Sequence, residues 1–151
     1  MFKKYIAACL LIFAASSTTI LAQDKTVIND ANAKKMLLGK HLLSLQWISW
    51  EHFGAANVVN KNGVFYLKGE QKQRGGTDYV KVDGIITEIN AKDFKFDGTI
   101  EMKISHNGGG EPCKREGEMT FAITKNRKYW RLQEMNNPCD EVVDYVDIYF
   151  K

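Results

Sequence analysis

Histidine is scarce in this chain of 151 residues, and so is cysteine, with three of each. His41, His52 and His106 lie far apart and show no HxH or HxxxH spacing, so no zinc motif is legible. Ser44, Ser49 and Ser105 stand outside any G-x-S-x-G setting, and spacing pairs no nucleophile with a base. Gly108-Gly109-Gly110 invites a phosphate-loop reading, but Pro112, Cys113 and a strand follow where such a loop needs a helix N-terminus. Asp140, Glu141, Asp144 and Asp147 lack the glycine-centred loop of calcium motifs and read as a solvated strand end. No catalytic residue, metal or cofactor has a sequence signal, and the expectation is a non-enzymatic protein.

An excess of one charge is missing as well. The 21 Lys and Arg are interspersed with 18 Asp and Glu, for a formal charge of +3. Such a chain has no electrostatic case for nucleic acid or anionic lipid. A long apolar run is also absent: Tyr5–Phe13 is too short to span a bilayer. Lys3 and Lys4 precede that run and a small-residue patch ending at Ala22 follows it, the layout of a Sec signal peptide covering residues 1–22. Ile6-Ala7-Ala8-Cys9 resembles a lipoprotein box, but too few apolar residues precede Cys9 for lipidation. Cleavage before Gln23 would remove both lysines, taking the charge from +3 to +1, and would leave Cys113 and Cys139 as a pair. In the oxidising periplasm or outside the cell, that pair is expected to form a disulfide within one domain, 23–151.

Alternation is what the chain has in quantity. In Asp93–Ile104, Phe94, Phe96, Gly98, Ile100, Met102 and Ile104 occupy one face, and charged or hydroxylated residues the other. This is a long strand with one face buried. Upstream, Asp30–Lys40 carries a capping acid and Gly39 where a helix-ending glycine belongs, predicting a short helix. His41–Trp50 reads as a strand apolar on both faces. Gly54–Asn60 and Gly63–Glu70 flank an Asn-Gly hairpin turn, and Gln71–Thr77 reads as an exposed connection.

Tyr79–Ile89 is expected to pair with the long strand, with Ile89 opposite Phe94 and Val82 opposite Ile100. The alternation slips by one between those points, which predicts a bulge at Gly84. After the connection His106–Pro112, Gly117–Lys125 and Lys128–Met135 form a hairpin setting Phe121 against Leu132. Extended outward, it brings Cys113 next to Cys139 at its open end. Val142–Phe150 is the last strand, with Asp144 on the face of Val146 and Ile148. Eight or nine sequential strands predict an all-β, antiparallel up-and-down barrel, with a two-sheet sandwich as the alternative.

Trp47, Phe65, Phe94, Phe96, Phe121 and Trp130 are then candidates to line an interior ligand cavity, or to fill the interior with no guest. Tyr129 and Arg131 fall on the opposite face from Trp130. A short helix, then Gly39-Lys40-His41 opening the first of consecutive strands, resembles the architecture of the lipocalin and fatty-acid-binding group. His41 stands where that group has tryptophan, and Arg131 matches its late arginine without that partner. The resemblance implies a calyx for a small apolar ligand. The leading expectation is thus an exported barrel binding a small hydrophobic molecule inside. The competing one is an interaction or inhibitor module with a filled core, meeting an envelope protein through Gln71–Thr77 or His106–Pro112.

Overall fold

A computed structural model describes residues 23–151. The proposed signal segment, with Cys9, lies outside the described residues. The elements run β1 (Val27–Ile28), α1 (Ala31–Leu37), β2 (Gly39–Leu45), β3 (Gly54–Lys61), β4 (Val64–Lys72), β5 (Tyr79–Ile89) and β6 (Asp93–Lys103), then β7 (Cys113–Ala122), β8 (Tyr129–Leu132) and β9 (Val146–Tyr149). A single 3₁₀ turn, Gly108–Gly110, interrupts the link from β6 to β7. From β2 to β9 each strand pairs antiparallel with the next, and β9 returns to β2. Eight strands therefore close into an up-and-down barrel, which leaves the sandwich alternative unused.

β1 is the additional strand. It pairs parallel with Glu88 and Ile89 of β5, beyond the point where β4 begins, and so lengthens the wall past the β3–β4 turn. Thr26 joins the pieces: its N–H donates to Gly63 O, its hydroxyl donates to Ile86 O and accepts from Phe65 N.

Local chemistry accounts for most boundaries. Asp30 caps α1, its Oδ1 accepting from Ala33 N at 2.7 Å. Gly39 leaves the helix at φ +101°, a left-handed conformation that favours glycine. In the β3–β4 turn, Asn62 and Gly63 have φ of 54° and 89°, the two positive values an Asn-Gly hairpin needs. α1 closes one barrel end with Ala33 and Leu37.

Four expectations are corrected. The first strand stops at Leu45 instead of Trp50, because the chain turns through Ile48 N→Leu45 O, and the Gln46 side chain takes over the contacts with Val143 O and Tyr145 N. The bulge falls between Ile86 and Glu88, at Thr87, while pairing crosses Gly84 unbroken. Gly84 is instead held flush against Gly98: a Cβ on Gly98 would stand 2.6 Å from Gly84 Cα and 2.7 Å from the Phe96 ring. Gly117 continues that row on β7.

The β7–β8 hairpin is far shorter than expected. Its register is as read, Phe121 opposite Leu132 and Ala122 opposite Arg131, but pairing is confined to those residues and the Thr120–Gln133 bond beyond them. The Cys113–Cys139 disulfide is formed, and it ties β7 across the resulting gap instead of closing a continuous ladder. Last, β9 spans Val146–Tyr149, less than the expected Val142–Phe150, with an isolated bridge from Asn136 to Val143 ahead of it.

Candidate functional site

Five of the six proposed lining residues meet inside. Phe65, Phe94, Phe96, Phe121 and Trp130 are all buried. Phe94 stacks on Phe121 at 5.1 Å between ring centroids, Phe96 meets Phe121 edge-on at 6.0 Å, and Trp130 meets Phe94 edge-on at 5.9 Å. Phe150 and His41 close on Trp130 at 4.5 and 5.7 Å. Phe94, Phe96, Phe121 and Trp130 thus have one another as neighbours. His41, standing where the resembled group has tryptophan, packs on Trp130, while Arg131 points out of the barrel.

Trp47, the sixth, sits at the end away from α1, in the turn after β2. Its indole N–H donates to Asp144 Oδ1 at 3.0 Å, and its ring meets His106 edge-on at 6.0 Å. Asp144 is fully buried, and its Oδ2 accepts from Arg115 Nη2 at 2.5 Å and from Asn137 Nδ2 at 2.9 Å. Arg115 also donates to Glu134 O and Asn136 O, bridging the gap that β8 leaves beside β7. Burial pushes the Asp144 carboxyl above the usual range against the downward pull of Trp47, Arg115 and Asn137. Burial likewise lowers Arg115, against the carboxylates that face it. On both sides desolvation outweighs attraction, the usual balance for an enclosed ion pair. The cluster is chemically a seam lock, with every Asp144 oxygen already engaged.

The expected flexible connections are anchored at this same end. Gln71 is a buried β4 residue whose side chain accepts from Leu45 N and donates to Ser49 O and His52 O. Asp78 is buried and accepts from the N–H and hydroxyl of Ser105. Gly108 N donates to Asp140 Oδ2, and this bond, with one from Glu141 N, holds that exposed carboxyl below its ordinary range. Among the described residues, no three His, Cys, Asp or Glu gather as a metal site, and no helix is long and apolar enough to cross a membrane.

The outer wall of β8, β9 and β2 carries what sequence reading missed. Asp140 and Glu141 are exposed, but Asp147, read with them as solvated, is 0% exposed although it faces outward. Arg131 lies opposite it and donates through Nε and Nη2 to its two oxygens, both at 2.7 Å. These bonds raise the Arg131 pKa above its ordinary value. Its guanidinium stands 4.1 Å from the Tyr145 ring centroid and 5.2 Å from that of Tyr129. Tyr149 meets Tyr129 at 5.2 Å and Phe53 at 5.0 Å, and burial raises its hydroxyl pKa. Leu42 and Phe53 complete the patch and are 48% and 38% exposed. The signal was present in the Tyr-x-Asp-x-Tyr pattern of residues 145–149, opposite Tyr129-x-Arg131.

Comparison with known proteins places the chain among relatives. It is similar to "Uncharacterized protein PM1083" of Pasteurella multocida (strain Pm70), at 44% identity over 114 residues, covering 76% of this chain and 73% of that protein. No solved structure matches. The model of the PM1083 family matches residues 25–150. By that match, which takes in every strand of the barrel, the chain belongs to the PM1083 family.

Proposed function

We propose that this protein is an exported, non-enzymatic binding module that recognises a protein partner through the outer face of β8, β9 and β2. The observation that carries this is the Arg131–Asp147 pair, roofed by Tyr129, Tyr145 and Tyr149 and edged by exposed Leu42 and Phe53. Arginine and tyrosine around a desolvated centre are the residues that dominate binding energy at protein interfaces. The paired Arg131 is already oriented, so a partner would not have to order it. Export agrees with the Cys113–Cys139 disulfide.

A photo-crosslinking residue placed at Leu42 in the source organism tests this, with one at Asp97 of β6 as the control. A discrete protein adduct from Leu42 that is lost on Tyr145→Ala is expected. No adduct, or the same adducts from both positions, would refute it. The interior reading, a small apolar guest lined by Phe65, Phe94, Phe96, Phe121 and Trp130, draws support only from the apolar character of those rings. The mutual contacts of Phe94, Phe96, Phe121 and Trp130 mean that a guest would have to part those rings. Native mass spectrometry of protein purified from its source reads that directly, as an added small-molecule mass.

A further inference from the structure

On another stretch of the wall, formed by β3 to β7, the outer surface is hollow. A concavity of about 550 Å³ is lined by Lys68, Glu70, Lys81, Asp83, Glu101 and Lys114, with Gly69 and Val82 at its floor. A second, of about 440 Å³, adjoins it across the shared Lys68 and Asp83 and is edged by Asn57, Lys61 and Tyr66. Small-molecule sites fall in this range of volumes. The side chain of Val82 is buried in the core, so what it offers the hollow is backbone.

Strand register orders the charges. One row across the wall reads Glu70, Lys81, Glu101, Lys114, and the next reads Asn57, Lys68, Asp83, Thr99. Sign alternates along the first row, and in the second Lys68 and Asp83 are paired at 3.0 Å. A polyanion laid here meets a carboxylate beside each ammonium, and a polycation meets the reverse. Neither gains from long-range attraction, and an apolar molecule would desolvate charges without replacing their hydrogen bonds. An uncharged chain rich in hydroxyls is different, because each hydroxyl both donates to carboxylate and accepts from ammonium. Each row crosses four strands, three inter-strand spacings or about 14 Å, and the two offset rows together reach from β3 to β7, room for roughly three to four sugar units. At one end, a sugar face stacking on the Tyr66 ring would take the place of the exposed Lys61 ammonium, which stands 5.4 Å from its centroid.

We infer that this hollow is a binding groove for a neutral oligosaccharide running across the strands. It is a separate surface from the tyrosine-rich face, and its test does not depend on a protein partner. Amide chemical shifts of the isotope-labelled protein would be followed during titration with chitotetraose, cellotetraose and maltotetraose, with pyrophosphate and spermidine as charged comparators. Saturable shifts at Gly69, Val82 and Thr99 with at least one of the sugars are expected, and no saturable shifts there with either ion. Thr99→Trp, which fills the groove from an outward strand position, should weaken that binding at least tenfold with the rest of the spectrum retained. The inference is overturned if none of the three sugars gives a saturable response, if the ions reproduce it, or if Thr99→Trp leaves it unchanged.

Discussion

Removing the carboxylate of Asp144 should be among the most damaging single changes available in this fold. Asp144→Ala takes the partner from Arg115, the Trp47 indole N–H and the Asn137 amide together. Arg115 has little room to escape to water, its side chain being 9% exposed. Stranding one member of an enclosed ion pair costs about 3–5 kcal/mol. For a domain of this size that is a fall in Tm of roughly 12–20 °C. Arg115→Met leaves Asp144 with two hydrogen bonds and costs less. The double variant no longer strands a charge, so its loss should be smaller than the sum of the two by about 1.5 kcal/mol or more.

Urea unfolding of the four proteins in the cycle measures this. Additivity within about 0.5 kcal/mol would refute the coupled seam lock. The pH dependence supplies an independent check. Because burial raises the folded carboxyl of Asp144, its contribution is fully present below the unfolded carboxyl value and is lost as pH rises through the folded one. The penalty of Asp144→Asn should therefore be greatest in acid and shrink as pH rises. A penalty that grows with pH would mean that attraction to Arg115 outweighs desolvation after all.

Three further outcomes are expected. Gly98→Ala places a Cβ against Gly84 Cα and the Phe96 ring, and should cost about 1–3 kcal/mol by thermal unfolding, whereas Gly76→Ala, where a Cβ meets only the flexible end of the Gln73 side chain, should cost less than half as much. Replacing Cys113 and Cys139 by alanine releases a cross-link with a sequence separation of 26 and should cost about 3.5 kcal/mol on the chain-entropy relation, measured by urea unfolding against the oxidised protein. His41→Phe keeps a ring against Trp130 but gives up the contacts of Nδ1 with Tyr149 O and Nε2 with Leu37 O, at about 1–3 kcal/mol; amide exchange in α1 should rise with it.

Alternation made the barrel legible. Phe94, Phe96, Ile100 and Met102 must look inward together, and Ile89 opposite Phe94 then sets the β5–β6 register from its turn. The bulge was misplaced because Ile85 and Ile86 are adjacent and equally apolar, so the change of phase can be drawn on either side of them. Only the contact of Gly84 with Gly98, a tertiary fact, sends it to Thr87. Trp47 and Trp50 extend an apolar pattern past the true end of β2 because nothing local reveals that the Gln46 side chain will replace the ladder there.

The buried acids escaped for a related reason. Asp144 and Asp147 sit among other acids in sequence, and their partners Arg115 and Arg131 come from other strands. Asp144 was nonetheless on the apolar face of its strand, which is the one hint that it would be enclosed. The outer hollow leaves no trace in periodicity at all, since its charged positions look like any solvated face until the register sets them in rows.

The narrow join between β7 and β8 has a consequence for how this wall comes apart. A ring of strands fastened evenly has no preferred place to fail, but this one has two rungs of ladder and a guanidinium at β7–β8 and three rungs at each of β8–β9 and β9–β2, where β5–β6 and β6–β7 have ten. Thermal opening is thereby directed to the thinly laced quarter around β8 and β9, and the cystine that ties β7 to the segment between those two strands keeps the loosened flap from swinging wide, so the sheet can gape there and re-seal without losing its order elsewhere.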